Sequence, residues 1–110
     1  MVSRYAQLMS IVVEALVRSE GRLSEAEAAA LISRSPRRFR GIFLEVYGET
    51  FRVVRVRVRM QAAARRLRET SESVAAISQR LGYSRPTKLM VSFKREFRVT
   101  PAQYRKLKIV

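Results

Sequence analysis

SVAAISQRLGYSRPTKLMVSFKREFRVTPAQY, residues 73–104, decides how the whole chain is read. Val74, Ile77 and Leu81 recur at spacings of three and four, which places them on one side of a helix that starts after Ser73 and stops at Gly82. Glycine takes a left-handed backbone angle without steric cost, so the chain turns there. Ser84 is then positioned to cap a second helix, with Pro86 in its first turn, where no amide hydrogen is needed. Leu89, Phe93 and Phe97, four apart, give that helix a buried stripe, while Arg85, Thr87, Lys88, Val91, Ser92, Lys94 and Arg95 spread over its other faces. Two helices joined by a short Gly-containing turn, the second basic on its outside, form the helix-turn-helix pattern.

Composition narrows the partner. The 110 residues suffice for one domain or two very small ones, and 47% hydrophobic content supports a folded chain. There is no Cys and no His, which excludes thiolate redox chemistry and the common zinc sites; no cofactor is expected. No apolar run approaches a membrane span and no secretory leader is visible, so a cytoplasmic location without membrane association is expected. Twenty-three Lys+Arg against 9 Asp+Glu give a net charge of +14. Residues 1–49 carry 7 basic and 6 acidic side chains, a balance of +1, whereas residues 50–110 carry 16 and 3, a balance of +13. A field of that sign concentrates a polyanion, which favours nucleic acid over an anionic membrane surface.

Outward from the opening stretch, the rest of the chain also reads as helices. Residues 3–18 place Tyr5, Leu8, Val12, Ala15 and Leu16 at helical spacing, thickened by Met9, Ile11 and Val13; the wide arc suits either deep packing or a subunit contact. Ser24 with Glu27 makes a capping box ahead of Ala28, Leu31 and Ile32. Ser35 caps a further helix, Pro36 leads it, and Phe39, Ile42, Phe43, Val46 and Tyr47 form its buried side before Gly48 closes it. Gly41, inside this helix, marks either a close backbone approach or a lost side chain, and loss is the preferred reading. FRVVRVRVRM, residues 51–60, alternates like a strand, but no partner strand exists elsewhere. Helix is therefore expected, with Val53, Val56, Met60, Ala63 and Leu67 as one stripe and Val54 and Val58 as a second. Thr100 caps and Pro101 leads a closing helix in which Ala102 and Tyr104 pack back.

An internal echo follows. Phe39, Phe43 and Tyr47 are matched about fifty residues on by Leu89, Phe93 and Phe97, each triplet preceded by an Ala-rich short helix. The expected fold is all-α: a first helix-turn-helix subdomain over residues 1–49, a linker helix over 50–70, and a second subdomain over 71–110. The linker helix would be about 27 Å long, enough to hold the units roughly one DNA turn apart.

AAISQRLGY, LMVSFKREF and TPAQYR, together with LSEAEAAAL, SPRRF, GIF and YGETF, resemble the C-terminal DNA-binding domain of the AraC/XylS class of bacterial transcription activators over about residues 20–105. The resemblance implies seven helices and two recognition helices set into successive major-groove segments. Carried over by position, it implies base contacts from Arg37, Arg40, Arg85, Thr87, Lys88 and Val91. Arg reads guanine in bidentate fashion, and Val91 is suited to a thymine methyl. Backbone contacts are expected from Arg38, Arg57, Arg59, Lys94 and Arg95, with Arg55, Arg65 and Arg66 either neutralising phosphates or facing water. The chain departs from the pattern at Gly41 and Val91, where the family often has Arg; at Ser33 and Arg98, where it often has Gly; and at Arg34, where an apolar residue is usual.

The expected function is regulation of transcription through double-stranded DNA, with RNA polymerase a candidate second partner and monomer and weak dimer both open. The rivals are a protein-interaction adaptor or a non-specific DNA binder on the same fold. An enzyme is not expected, because no acid–base pair or activated nucleophile is recognisable. The chain has no room for the ligand-sensing domain many relatives carry, so it reads either as a stand-alone member or as part of a longer regulator.

Overall fold

The computed structural model describes residues 4–107, which form seven α-helices and no strand. They are α1 (Ala6–Arg18), α2 (Glu25–Leu31), α3 (Pro36–Tyr47), α4 (Phe51–Glu69), α5 (Val74–Arg80), α6 (Pro86–Phe97) and α7 (Pro101–Leu107). The all-α expectation holds, and the Val/Arg alternation of residues 54–59 lies within a continuous α4. The expected start of the first helix at residue 3 lies outside the described residues. Two compact units divide between Val58 and Arg59, inside α4.

Each unit has its own core. In the first, Met9, Val12 and Leu16 of α1 meet Ala28, Ala29 and Ile32 and the α3 stripe Phe39, Ile42 and Phe43. Phe51, the first residue of α4, completes it, with its ring edge-on to Phe39 at 5.0 Å and to Phe43 at 5.4 Å. The second core gathers Met60, Ala62, Ala63, Ala64 and Leu67 of α4 with Ile77, Leu81, Leu89 and Phe93. Here Tyr104 of α7 plays the part of Phe51, with its ring edge-on to Phe93 at 5.4 Å. Both units are thus closed by an aromatic ring from the helix that follows the basic one, in the edge-to-face arrangement that ring quadrupoles favour.

The caps follow the sequence with one exception. Ser24 and Glu27 form the reciprocal capping box, and Ser35 and Ser73 accept from the amides of Arg38 and Ala76. Thr100 and Gln103 exchange side-chain and backbone hydrogen bonds at the start of α7. Ser84, however, does not cap α6. The N-cap is Arg85, with extended backbone (φ −146°, ψ 145°) and no side-chain cap bond. The reason is turn length: two residues separate the C-cap Ile32 from the N-cap Ser35, but three separate Leu81 from Arg85. Pro86 also forces its predecessor out of helical geometry, which makes Arg85 the cap position.

Several stripe assignments are corrected by tertiary context. Val53 and Val56 are exposed, whereas Val54 and Val58 pack on the first core, so the predicted second stripe is the inward one there. Ile11 and Leu31 are about half exposed, Tyr47 keeps its ring against Phe43 while 40% exposed, and Ala102 faces out while Pro101 is buried in its place. A Cβ added to Gly41 would meet nothing within 4 Å, so no close approach requires that glycine.

The fifty-residue echo extends to the backbone. α3 and α6 both span 12 residues, and their C-caps Gly48 and Arg98 both adopt left-handed angles, φ 71° and 68°. Ser33, just past the end of α2, does the same at φ 54°. The two positions where the family pattern has Gly are therefore positions where an L side chain is strained. Replacing Arg98 with Gly should stabilise the protein by about 0.5–1 kcal/mol, the relief of a left-handed side chain less the extra backbone entropy of Gly. Chemical denaturation measures this, and an unchanged or lowered midpoint would contradict it.

Candidate nucleic-acid interface

α3 and α6 each bury one face and present a basic one. On α6, burial of Leu89 and Phe93 leaves Thr87, Lys88 and Val91 exposed. With Tyr83 and Ser92 they line an open hollow of about 370 Å³. Three of the four residues expected to read bases from this unit are therefore brought together in one concavity, whose wall includes the apolar Val91 and the ring of Tyr83. Arg85 stands at the helix entrance, exposed. Lys94 and Arg95 lie a turn beyond Val91 and are exposed, at spacings that keep them on the same side of the helix.

Two contacts behind this surface were not legible in the sequence. Ser78 is buried, and its hydroxyl donates to the carbonyl oxygen of Arg85 at 3.2 Å, which ties α5 to the entrance of α6. The guanidinium of Arg59 lies over the Tyr83 ring, 5.0 Å from its centroid. Arg59, expected at the DNA backbone, therefore lies against the aromatic wall of the hollow.

On α3, Arg37, Arg38 and Arg40 are all exposed. In the fifty-residue register Arg37 and Arg38 correspond to Thr87 and Lys88, Gly41 corresponds to Val91, and Arg40 falls opposite Met90, outside the hollow. Arg40 is paired with Glu25 of α2 at 2.6 Å. Arg38 donates to the Tyr5 hydroxyl at 2.9 Å. Arg37 and Arg38 are the α3 residues that correspond to the hollow-lining Thr87 and Lys88.

Much of the positive charge on α4 is engaged within its own unit. Arg57 makes a forked pair with Glu49, whose carboxyl is held below its usual range by that hydrogen bond. Arg55 donates to the carbonyl oxygens of Gly21 and Arg22, at 3.1 and 3.0 Å, and so serves the turn after α1. Arg66 shares Glu72 with Arg80. Arg105 of α7 donates to the carbonyl oxygens of Leu67 and Thr70, covering orphan acceptors at the end of α4. The water-facing reading of Arg55 and Arg66 is thereby replaced by structural roles.

Among the described residues no cluster of acidic side chains could hold a metal ion, and no helix is long and apolar enough to cross a membrane. The helix-turn-helix domain family model matches residues 28–107. The HTH-type transcriptional regulator Rv1931c of Mycobacterium tuberculosis is 38% identical over 80 residues, covering 73% of this chain and 31% of the relative. A Streptomyces antibioticus protein named as an AraC-like transcription regulator is 37% identical over 84 residues, 76% of this chain and 27% of its own. The chain therefore spans less than a third of the length of either curated relative. Among solved structures, the DNA-binding domain of AdpA, a global transcriptional factor in complex with a target DNA, superposes with a TM-score of 0.80 at 26% identity and covers 90% of both chains. With two helix-turn-helix units, a basic helix in each and a family match over most of its length, the chain belongs to the AraC-type family of helix-turn-helix DNA-binding transcription regulators.

Proposed function

We propose that the chain binds specific double-stranded DNA by setting α3 and α6 into successive major-groove segments. The observation that carries this is the hollow on α6: Thr87, Lys88 and Val91 offer a hydroxyl, a cation and an apolar contact in one concavity, the mixture a base-pair edge requires. Arg37 holds the matching place on α3. Arg85 and Arg40 flank the two reading surfaces, and Arg40 reaches a base edge by exchanging Glu25 for it. Arg38, Lys94 and Arg95 supply backbone contacts that fix register without carrying sequence information. RNA polymerase would be reached by other surfaces of the bound protein.

Selection from random duplexes tests the reading. Two enriched blocks about one helical turn apart are expected, one for each unit. Arg37→Ala should then cost about 1–3 kcal/mol on the selected site and relax the preference at one block alone. Uniform weakening on every sequence would make Arg37 a phosphate contact, and tight binding without any enriched sequence would reduce the protein to a non-specific binder.

A further inference from the structure

We propose that Arg4, Tyr5 and Arg38 form a clamp for one DNA phosphodiester, with Tyr5 as the positioning residue that joins the entry of α1 to the entry of α3. The Tyr5 hydroxyl accepts from Arg4 Nη2 at 2.8 Å and from Arg38 Nη2 at 2.9 Å. Both guanidinium groups also lie over its ring, 4.9 and 5.6 Å from the centroid. Tyr5 is the N-cap residue of α1 and Arg38 sits in the first turn of α3, 33 residues later.

Two cations gathered on one phenol repel each other, and neither is paired with a carboxylate among the described residues. Each guanidinium has five N–H donors, of which the phenol takes one, so donors remain for a further acceptor. The hydrogen bond from Arg4 is the foremost cause holding the Tyr5 phenol below its ordinary pKa, with that from Arg38 adding to it; both mark a locally positive field. A tetrahedral oxyanion between the two would offset the repulsion and accept charge-assisted hydrogen bonds from both.

The surroundings point to a phosphodiester carried by a nucleic acid. Arg4 and Tyr5 line an open cavity of about 450 Å³ with Leu8, Ile11, Gln7 and Arg34. Leu8 and Ile11 give it an apolar wall suited to a deoxyribose beside the phosphate, and Arg34 adds a third cation. Arg38 is next to Arg37, so the clamp adjoins the reading surface of α3. The inference deepens the proposed function and rests on it.

The test places single methylphosphonates, which remove one backbone charge, along the selected duplex and measures affinity for the full chain and for Arg4→Gln, Arg38→Gln and Tyr5→Phe. For the unaltered protein, one neutral linkage beside the first block should weaken binding about tenfold. That penalty should vanish in Arg38→Gln and shrink in Arg4→Gln and in Tyr5→Phe, which keeps the ring and both cations. The exponent of the salt dependence should fall by about 0.9 in Arg38→Gln. Duplex binding with penalties unchanged in the variants overturns the clamp alone. Absence of any duplex binding by the unaltered protein overturns the reading beneath it. Unchanged duplex penalties with polyglutamate binding that Arg38→Gln abolishes would assign the site to an acidic peptide and overturn the proposal.

Discussion

Phe93→Ala should lower the stability of the protein by about 3–5 kcal/mol, the usual cost of emptying a fully buried phenylalanine site. Phe93 is 0% exposed and is ringed by Phe97 at 4.5 Å and Tyr104 at 5.4 Å between centroids. Its neighbours Leu89 and Leu81 sit on α6 and at the end of α5, so the cavity would open between the two helices of the motif. Small domains hold only about 5–15 kcal/mol in total, so this one change removes a large share. Urea unfolding followed by circular dichroism measures it; a loss below about 1 kcal/mol at unchanged slope would show that the aromatic cluster is not the core of the second unit. Phe43→Ala makes the corresponding cavity against Phe39 and Phe51 in the first.

What could be read from the sequence was what short-range physics decides. The caps at Ser24, Ser35 and Ser73 and the stripe Leu89, Phe93, Phe97 depend on residues three or four apart, and each lies where spacing puts it. Helix over residues 51–60 follows from the three-and-four spacing that continues to Leu67 together with the lack of any partner strand. Ser84 escaped the same reasoning because one extra turn residue moved the cap position to Arg85. The inward face of the first half of α4 also escaped it: periodicity allowed both Val53/Val56 and Val54/Val58, and only packing against Phe51 and its neighbours selects the second pair.

At the candidate interface the limit was different. Composition counts cations but does not say where they point. Arg55 turns to two backbone carbonyls 33 and 34 residues earlier, and Arg105 to two others 35 and 38 residues earlier. Arg59 serves Tyr83, and Tyr5 gathers Arg38 across 33 residues. No local signal marks such partners, because each forms only after the helices have packed. The exposure of Thr87, Lys88 and Val91 was legible through the periodicity that buries their neighbours, and their proposed reading role through the family resemblance.

This division of the charge sets the size of the last expected effect, the fall of DNA affinity with salt. If the whole net charge of +14 met phosphates, the exponent would be near 13 at about 0.9 per contact. The structure argues for far fewer. Arg18, Arg40, Arg57, Arg66 and Arg80 are paired with Glu14, Glu25, Glu49 and Glu72, and Arg55 and Arg105 are bound to carbonyl oxygens. The proposed phosphate contacts number about five, Arg38, Lys94 and Arg95 with Arg4 and the flanking Arg85, for an exponent of about 4.5. Between 50 and 200 mM monovalent salt, affinity for the selected duplex should then fall about 500-fold. Titrating duplex binding across that range decides it. An affinity that does not change with salt would remove electrostatic attraction from DNA binding, whereas an exponent approaching 13 would mean that cations well beyond these five also meet phosphates.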